Sequence, residues 1–104
     1  MDAQLKKGVL EMCILYKLKD EPLYGYELMK SVRLSFPEVY EGTIYTILRR
    51  LNASGYASIT KIESPNGPAR KYYHLTEEGQ AYLNRMIREW KELVENVAAI
   101  GIRV

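Results

Sequence analysis

Thr43, Tyr45, Thr46, Arg49 and Arg50 lie close together in the stretch EGTIYTILRRLNASGY. Hydroxyls and guanidinium groups so placed form no nucleophile–base arrangement. They are suited to hydrogen bonds with base edges and to pairing with phosphates. A second set, Asn66, Gly67, Arg70 and Lys71, follows in SPNGPARKYYHL and suits phosphate or minor-groove contact. Catalytic material is sparse. His74 is the only histidine and Cys13 the only cysteine, so a metal site lacks ligands. No Ser/His/Asp, Cys/His or clustered-carboxylate arrangement is present, and Glu77-Glu78 reads as helix-start charge. Gly42 and Gly67 are isolated and make no phosphate loop. The chain is therefore expected not to be an enzyme and to hold no metal or cofactor.

Positioning the first set falls to a helix. Ile44, Ile47, Leu48 and Leu51 recur at three- and four-residue steps that share one face. At about 100° per residue the opposite face carries Gly42, Thr46, Arg49 and Ala53, flanked by Thr43, Tyr45 and Arg50. Gly55 is placed to close this helix in the left-handed conformation. Two strands are expected next, over residues 56–63 and 70–75. Residues 64–69 contain two prolines and a glycine, and are expected as a flexible loop at the hairpin tip. A helix with a small, basic outer face followed by such a hairpin is the layout of a winged helix-turn-helix, in which the helix enters the major groove.

EGTIYTILRRLNASGY, GPARKYYHLTEEG and the upstream PLYGYELMK together resemble the signature of the PadR family of bacterial and archaeal transcriptional regulators. The resemblance covers roughly residues 5–90. Tyr40 departs from it, standing where the family often has Ser or Asn as a helix cap. The resemblance implies a mainly α fold with a small β-hairpin: a winged helix-turn-helix DNA-binding domain over residues 1–75 and a C-terminal dimerisation helix over residues 76–104. It implies that Tyr24, Tyr26 or Lys30 touches the DNA backbone, although Tyr26 as packing between helices accounts for it equally well. It further implies a repressor of a detoxification or efflux gene, released by a small aromatic or hydrophobic ligand. The single long last helix and short tail resemble the smaller PadR subfamily.

With 104 residues the chain makes one domain whose modest core gains from dimerising. No run of 18 or more apolar residues and no leader pattern is present, so a cytoplasmic protein without a membrane span is expected. The overall charge of +2 hides an asymmetry. Residues 30–74 hold seven basic and three acidic side chains, and the remainder eight and ten. Positive charge thus concentrates on the half expected to read DNA. Cys13, within an apolar run, reads as a buried small hydrophobe.

In chain order, Asp2 can cap a first helix over residues 3–18 that is apolar nearly all round, hence buried on more than one side. Pro22 breaks it. A second helix over residues 24–34 turns Leu28, Met29 and Val32 inward and leaves Tyr24, Glu27, Lys30 and Arg33 outside. In the hairpin, Ile59, Tyr73 and Leu75 share the core face, while Ile62, Tyr72 and His74 point away. Thr76 caps the last helix, and Gly79 within it implies a close packing contact. There Leu83, Ile87, Trp90, Val94 and Val97 step 4-3-4-3, an a/d-type seam widened by Met86, Leu93 and Ile100. Homodimerisation through this seam is expected, with Trp90 as an anchor. Resemblance to short family members implies a sharper role. Trp90 and its symmetry mate would stack planar aromatic ligands, with Met86 and Leu93 beside it and Val9, Met12 and Cys13 supplied by the partner's first helix.

Two function classes compete. One is a dimeric reader of palindromic double-stranded DNA. The other is a winged-helix module that binds proteins and never reads DNA, since a fold does not settle its function. An interaction module has no need of the Thr-Tyr-Thr-Arg-Arg set, and this favours DNA.

Overall fold

The computed structural model describes residues 3–103, with side chains from Leu5 onward. Asp2, the expected first cap, lies outside the described residues. Four helices and three strands follow in the order α1 Ala3–Lys17, β1 Leu23–Tyr24, α2 Gly25–Ser35, α3 Glu41–Ala53, β2 Ala57–Ser64, β3 Gly67–Leu75 and α4 Glu77–Ile100. The sheet is antiparallel with strand order β1-β3-β2. With α2 and α3 as the helix pair and β2-β3 as the wing, the fold is a winged helix-turn-helix.

Leu10, Ile14, Leu15 and Leu18 meet Leu28, Met29 and Val32 of α2 and Ile44, Ile47, Leu48 and Leu51 of α3 in one core. Every apolar position expected to face inward on α2 and α3 is buried there. On α1 a second side, formed by Val9, Met12 and Cys13, is only half-covered, and Tyr16 is exposed.

Both ends of α3 are fixed by short-range chemistry. At the start Tyr40 is extended and makes no side-chain cap, yet its carbonyl accepts from the N–H groups of Thr43 and Ile44. The departure from Ser or Asn therefore leaves the helix beginning at Glu41. Arg33 ties the preceding turn: its guanidinium donates to the carbonyls of Val39 at 2.9 Å and Pro37 at 3.4 Å, and pairs with Glu41 at 3.6 Å. At the far end Gly55 adopts φ +83°, its N–H donates to the Asn52 carbonyl, and Tyr56 N–H reaches back to Leu51. That double bond pattern is a Schellman closure, which needs a residue tolerant of positive φ.

Three expectations need correction. The hairpin loop is not residues 64–69: Ser64 pairs with Gly67, and only Pro65 and Asn66 form the turn. Pro68 enters β3 because β1 pairs only with Tyr72 and Tyr73, which leaves the outer edge free beside Pro68. A register shift between Ile62 and Ser64 absorbs the irregularity. Second, the two-residue strand β1 was not expected. Tyr24 belongs to it and caps α2, which starts at Gly25. Third, Leu83 is not on the outer seam of α4. It is fully buried in the intrachain core.

Thr76 caps α4, its hydroxyl oxygen accepting from Gly79 N–H at 2.9 Å and its O–H donating to the Gly55 carbonyl at 2.7 Å. The expected close contact at Gly79 is present. A Cβ there would overlap the Tyr56 carbonyl oxygen. The 24 residues of α4 extend about 36 Å, and the molecule measures 56 × 30 × 21 Å.

Candidate nucleic-acid interface

Helix α3 turns Thr43, Thr46 and Arg49 to solvent. Thr46 donates its hydroxyl hydrogen to the Gly42 carbonyl at 2.9 Å, and the Thr46 hydroxyl oxygen in turn accepts from the Arg49 guanidinium at 3.1 Å. The arrangement holds the exposed Arg49 guanidinium against the helix surface. Tyr45 is half-buried instead. It approaches Gly25, where an added Cβ would stand 3.8 Å from Tyr45 Cε1 and 3.5 Å from Tyr73 Cε1. Burial raises the Tyr45 phenol above its ordinary value, with further contributions from Tyr24, Glu41, Tyr26 and Tyr73.

Arg50, expected on the reading face, is placed elsewhere. Its guanidinium donates to the Glu11 carboxylate on α1 in a half-buried ion pair. Tyr82 of α4 donates to the other Glu11 oxygen at 3.1 Å. At the edge of the inward stripe, Arg50 is drawn to the acid across the core and joins three helices.

Alternation along β3 sorts the wing residues. Tyr73 and Lys71 share the face that turns toward α3, and Lys61 stands directly opposite Lys71 on β2. Arg49 lies close enough to Tyr73 to lower its phenol pKa, against a larger rise from burial. Lys61, exposed, was not among the expected contacts, although strand alternation places it in register with Lys71. The other face carries Arg70, whose guanidinium sits 5.0 Å over the Tyr24 ring. Tyr24 packs on Tyr72 at 5.7 Å and Tyr26 at 6.2 Å, and Lys30 lies 5.4 Å over Tyr26. Tyr24, Lys30 and Arg70 thus form one aromatic–cation row on the outside of α2 and the wing. Asn66 is exposed in the turn, and Gly67 opens β3.

A second concave region lies along α1 and α4. Trp90, partly exposed, separates two hollows. One, of about 240 Å3, is lined by Val9, Met12, Met86 and Leu93; the other, of about 360 Å3, by Met12, Cys13, Phe36 and Ile87. Val9, Met12 and Cys13 of the chain's own α1 line these hollows, because α1 and α4 pack side by side. Burial pushes the Cys13 thiol above its ordinary value, partly offset by Lys17. Ile87, Val94 and Val97 lie along the outer stripe, with Leu93 and Ile100 beside them.

Among the described residues no group of three or more His, Cys, Asp or Glu side chains could hold a metal ion. No helix among them is long and apolar enough to cross a membrane.

The family model for the transcriptional regulator PadR-like family matches residues 14–85. A PadR-like transcription factor from Bacteroides fragilis has a similar crystal structure, with 39% identity, 95% of this chain and 96% of that chain covered, and a TM-score of 0.83. A PadR-like transcriptional regulator from Bacillus cereus strain ATCC 14579 is 38% identical over 94% of this chain and 96% of that chain, with a TM-score of 0.80. A transcriptional regulator of Mycobacterium tuberculosis is 28% identical over 94 residues, or 90% of this chain and 87% of its own.

Proposed function

The chain belongs to the PadR-like family of transcriptional regulators, which are not enzymes, and from that membership we propose that it is a dimeric, sequence-specific repressor. Residues 1–75 read DNA and residues 76–104 dimerise. The observation that carries this reading is the exposed set of Thr43, Thr46 and Arg49 on α3 together with the exposed, directly paired Lys71 and Lys61 on the wing. Like charges directly opposite on paired strands are unfavourable. A phosphate between Lys61 and Lys71 relieves that repulsion, and α3 then lies in the adjoining major groove. Tyr24, Lys30 and Arg70 serve the flanking backbone.

Support for the dimer comes from the outward stripe of Ile87, Trp90, Leu93, Val94, Val97 and Ile100, which the chain's own fold leaves largely open. A two-fold dimer asks for a palindromic operator with half-sites about one helical turn apart. The hollows beside Trp90 suit a small aromatic or hydrophobic effector that releases the repressor from a cytoplasmic detoxification or efflux promoter.

The test is fluorescence anisotropy of the full chain on a duplex from upstream of its own gene, at two salt concentrations. Tight, salt-sensitive binding of a dimer is the expected result. Binding no stronger than to a scrambled duplex of equal length would sink the reading.

A further inference from the structure

A large hollow of about 890 Å3 flanks the outward face of α3, and its opposite wall is the start of α1. Gly42, Thr43, Thr46 and Arg49 line one side, and Lys6 and Lys7 the other. Lys6 pairs with Glu38 at 3.0 Å, which anchors the beginning of α1 to the turn before α3. Glu38 is held below the ordinary carboxylate value by its own backbone N–H and by Lys6. Lys7 is exposed. None of the ion pairs among the described residues takes Lys7 or Arg49. The lining therefore carries three cations against one carboxylate, and that carboxylate is already matched.

We propose that the start of α1 is a third DNA-contacting element, in which Lys7 binds a backbone phosphate of the strand bordering the major groove. The inference rests on the DNA-reading function proposed above and extends it to a helix that the sequence assigned wholly to packing. Its geometric basis is continuity. A duplex seated on Thr43, Thr46 and Arg49 must pass through this hollow, because the same side chains form its wall. The opposite wall then faces the sugar-phosphate chain, and the net charge of the lining matches it. Lys6, by contrast, is a positioning residue that keeps α1 in place through Glu38.

The contact carries no sequence information, so it is detectable through salt dependence. Each phosphate neutralised adds about 0.9 to the slope of log K against log salt on B-DNA. In the anisotropy titration on the upstream duplex, Lys7→Ala is expected to lower the slope by about 0.9 per protomer, or about 2 for a dimer. Preference over a scrambled duplex should stay unchanged. Lys7→Glu should weaken binding further, and the unaltered thermal melt of both variants should show that folding is intact. A slope equal to wild type in both variants overturns the proposal while leaving the repressor reading standing. Failure of the wild-type chain to bind specifically overturns the repressor reading itself.

Discussion

Arg50 on α3 donates to the carboxylate of Glu11 on α1, whose second oxygen accepts from Tyr82 on α4. Tyr82 in turn stacks on Tyr56 with ring centroids 4.2 Å apart and planes 5° from parallel. One half-buried acid thus ties α3 to the helix that leaves the winged domain. Neighbouring arginines on α3 have divided roles: Arg50 holds the fold, and Arg49 faces solvent.

That division is measurable. Arg50→Ala leaves Glu11 half-buried beside one remaining donor, at a cost of about 1–3 kcal/mol. For a domain near this size, about 4–8 °C of Tm is lost per kcal/mol. Arg49→Ala removes an exposed side chain, so the melt should barely move while operator affinity falls several-fold or more. A melt lowered equally by both substitutions, or an Arg49→Ala variant with wild-type affinity at moderate salt, would contradict the assignment.

Gly79 sits in the first turn of α4, where the Tyr56 carbonyl and the Leu75 side chain close over it. Gly79→Ala ordinarily gains helix propensity. Here the new methyl would overlap backbone, and neither α4 nor the start of β2 can yield without breaking the Thr76 cap. A loss of more than about 2 kcal/mol is expected by overpacking, read from urea-unfolding midpoints. A neutral or stabilised Gly79→Ala variant would show that α4 docks differently.

How much of this was legible in the sequence follows from the range of each interaction. The inward face of α3, the Gly55 closure and the Thr76 cap are decided within a few residues, and all three stand as expected. The tight contact at Gly79 was also legible, because glycine is unfavourable in a helix without a reason. What was missed depends on distant partners. Glu11 is 39 positions from Arg50, and helical periodicity alone leaves Arg50 on a flank with no indication of its ion pair. The two-residue β1 has no periodicity to detect and exists only through Tyr72 and Tyr73. Leu83 satisfies the heptad spacing of the outer seam, yet the turn of α4 nearest the domain faces the core. In the proposed interface, Thr43, Thr46 and Arg49 were legible by angle, whereas Lys61 required the strand register.

Along α4 the depth of burial separates two kinds of apolar residue. Leu83→Ala should cost about 2–5 kcal/mol by opening a core cavity, with no effect specific to assembly. Val97→Asp lies on the outer stripe and should spare the fold of the subunit while placing a charge in the proposed seam. Sedimentation velocity is expected to show monomers for Val97→Asp at concentrations where wild type is dimeric. A Val97→Asp dimer as tight as wild type would move the interface off this stripe.

The last prediction concerns two phenols beside the proposed reading surface. Tyr45 and Tyr73 are both raised above the ordinary value of 10.0, chiefly by burial, and Arg49 pulls Tyr73 back down. A phenol is neutral when protonated, so the folded chain holds these protons more tightly than the unfolded chain. Their contribution to stability is complete below about pH 10 and is lost as pH rises through the folded-state values. Absorbance at alkaline pH should therefore show tyrosines that ionise late. Tyr73→Phe should remove one of them and flatten the fall in stability above pH 10. Arg49→Ala should delay Tyr73 further, because it removes the nearby positive charge that favours the phenolate. An unchanged titration in Arg49→Ala would mean that Arg49 does not lie near Tyr73, and the link between the outer face of α3 and the wing would be lost with it.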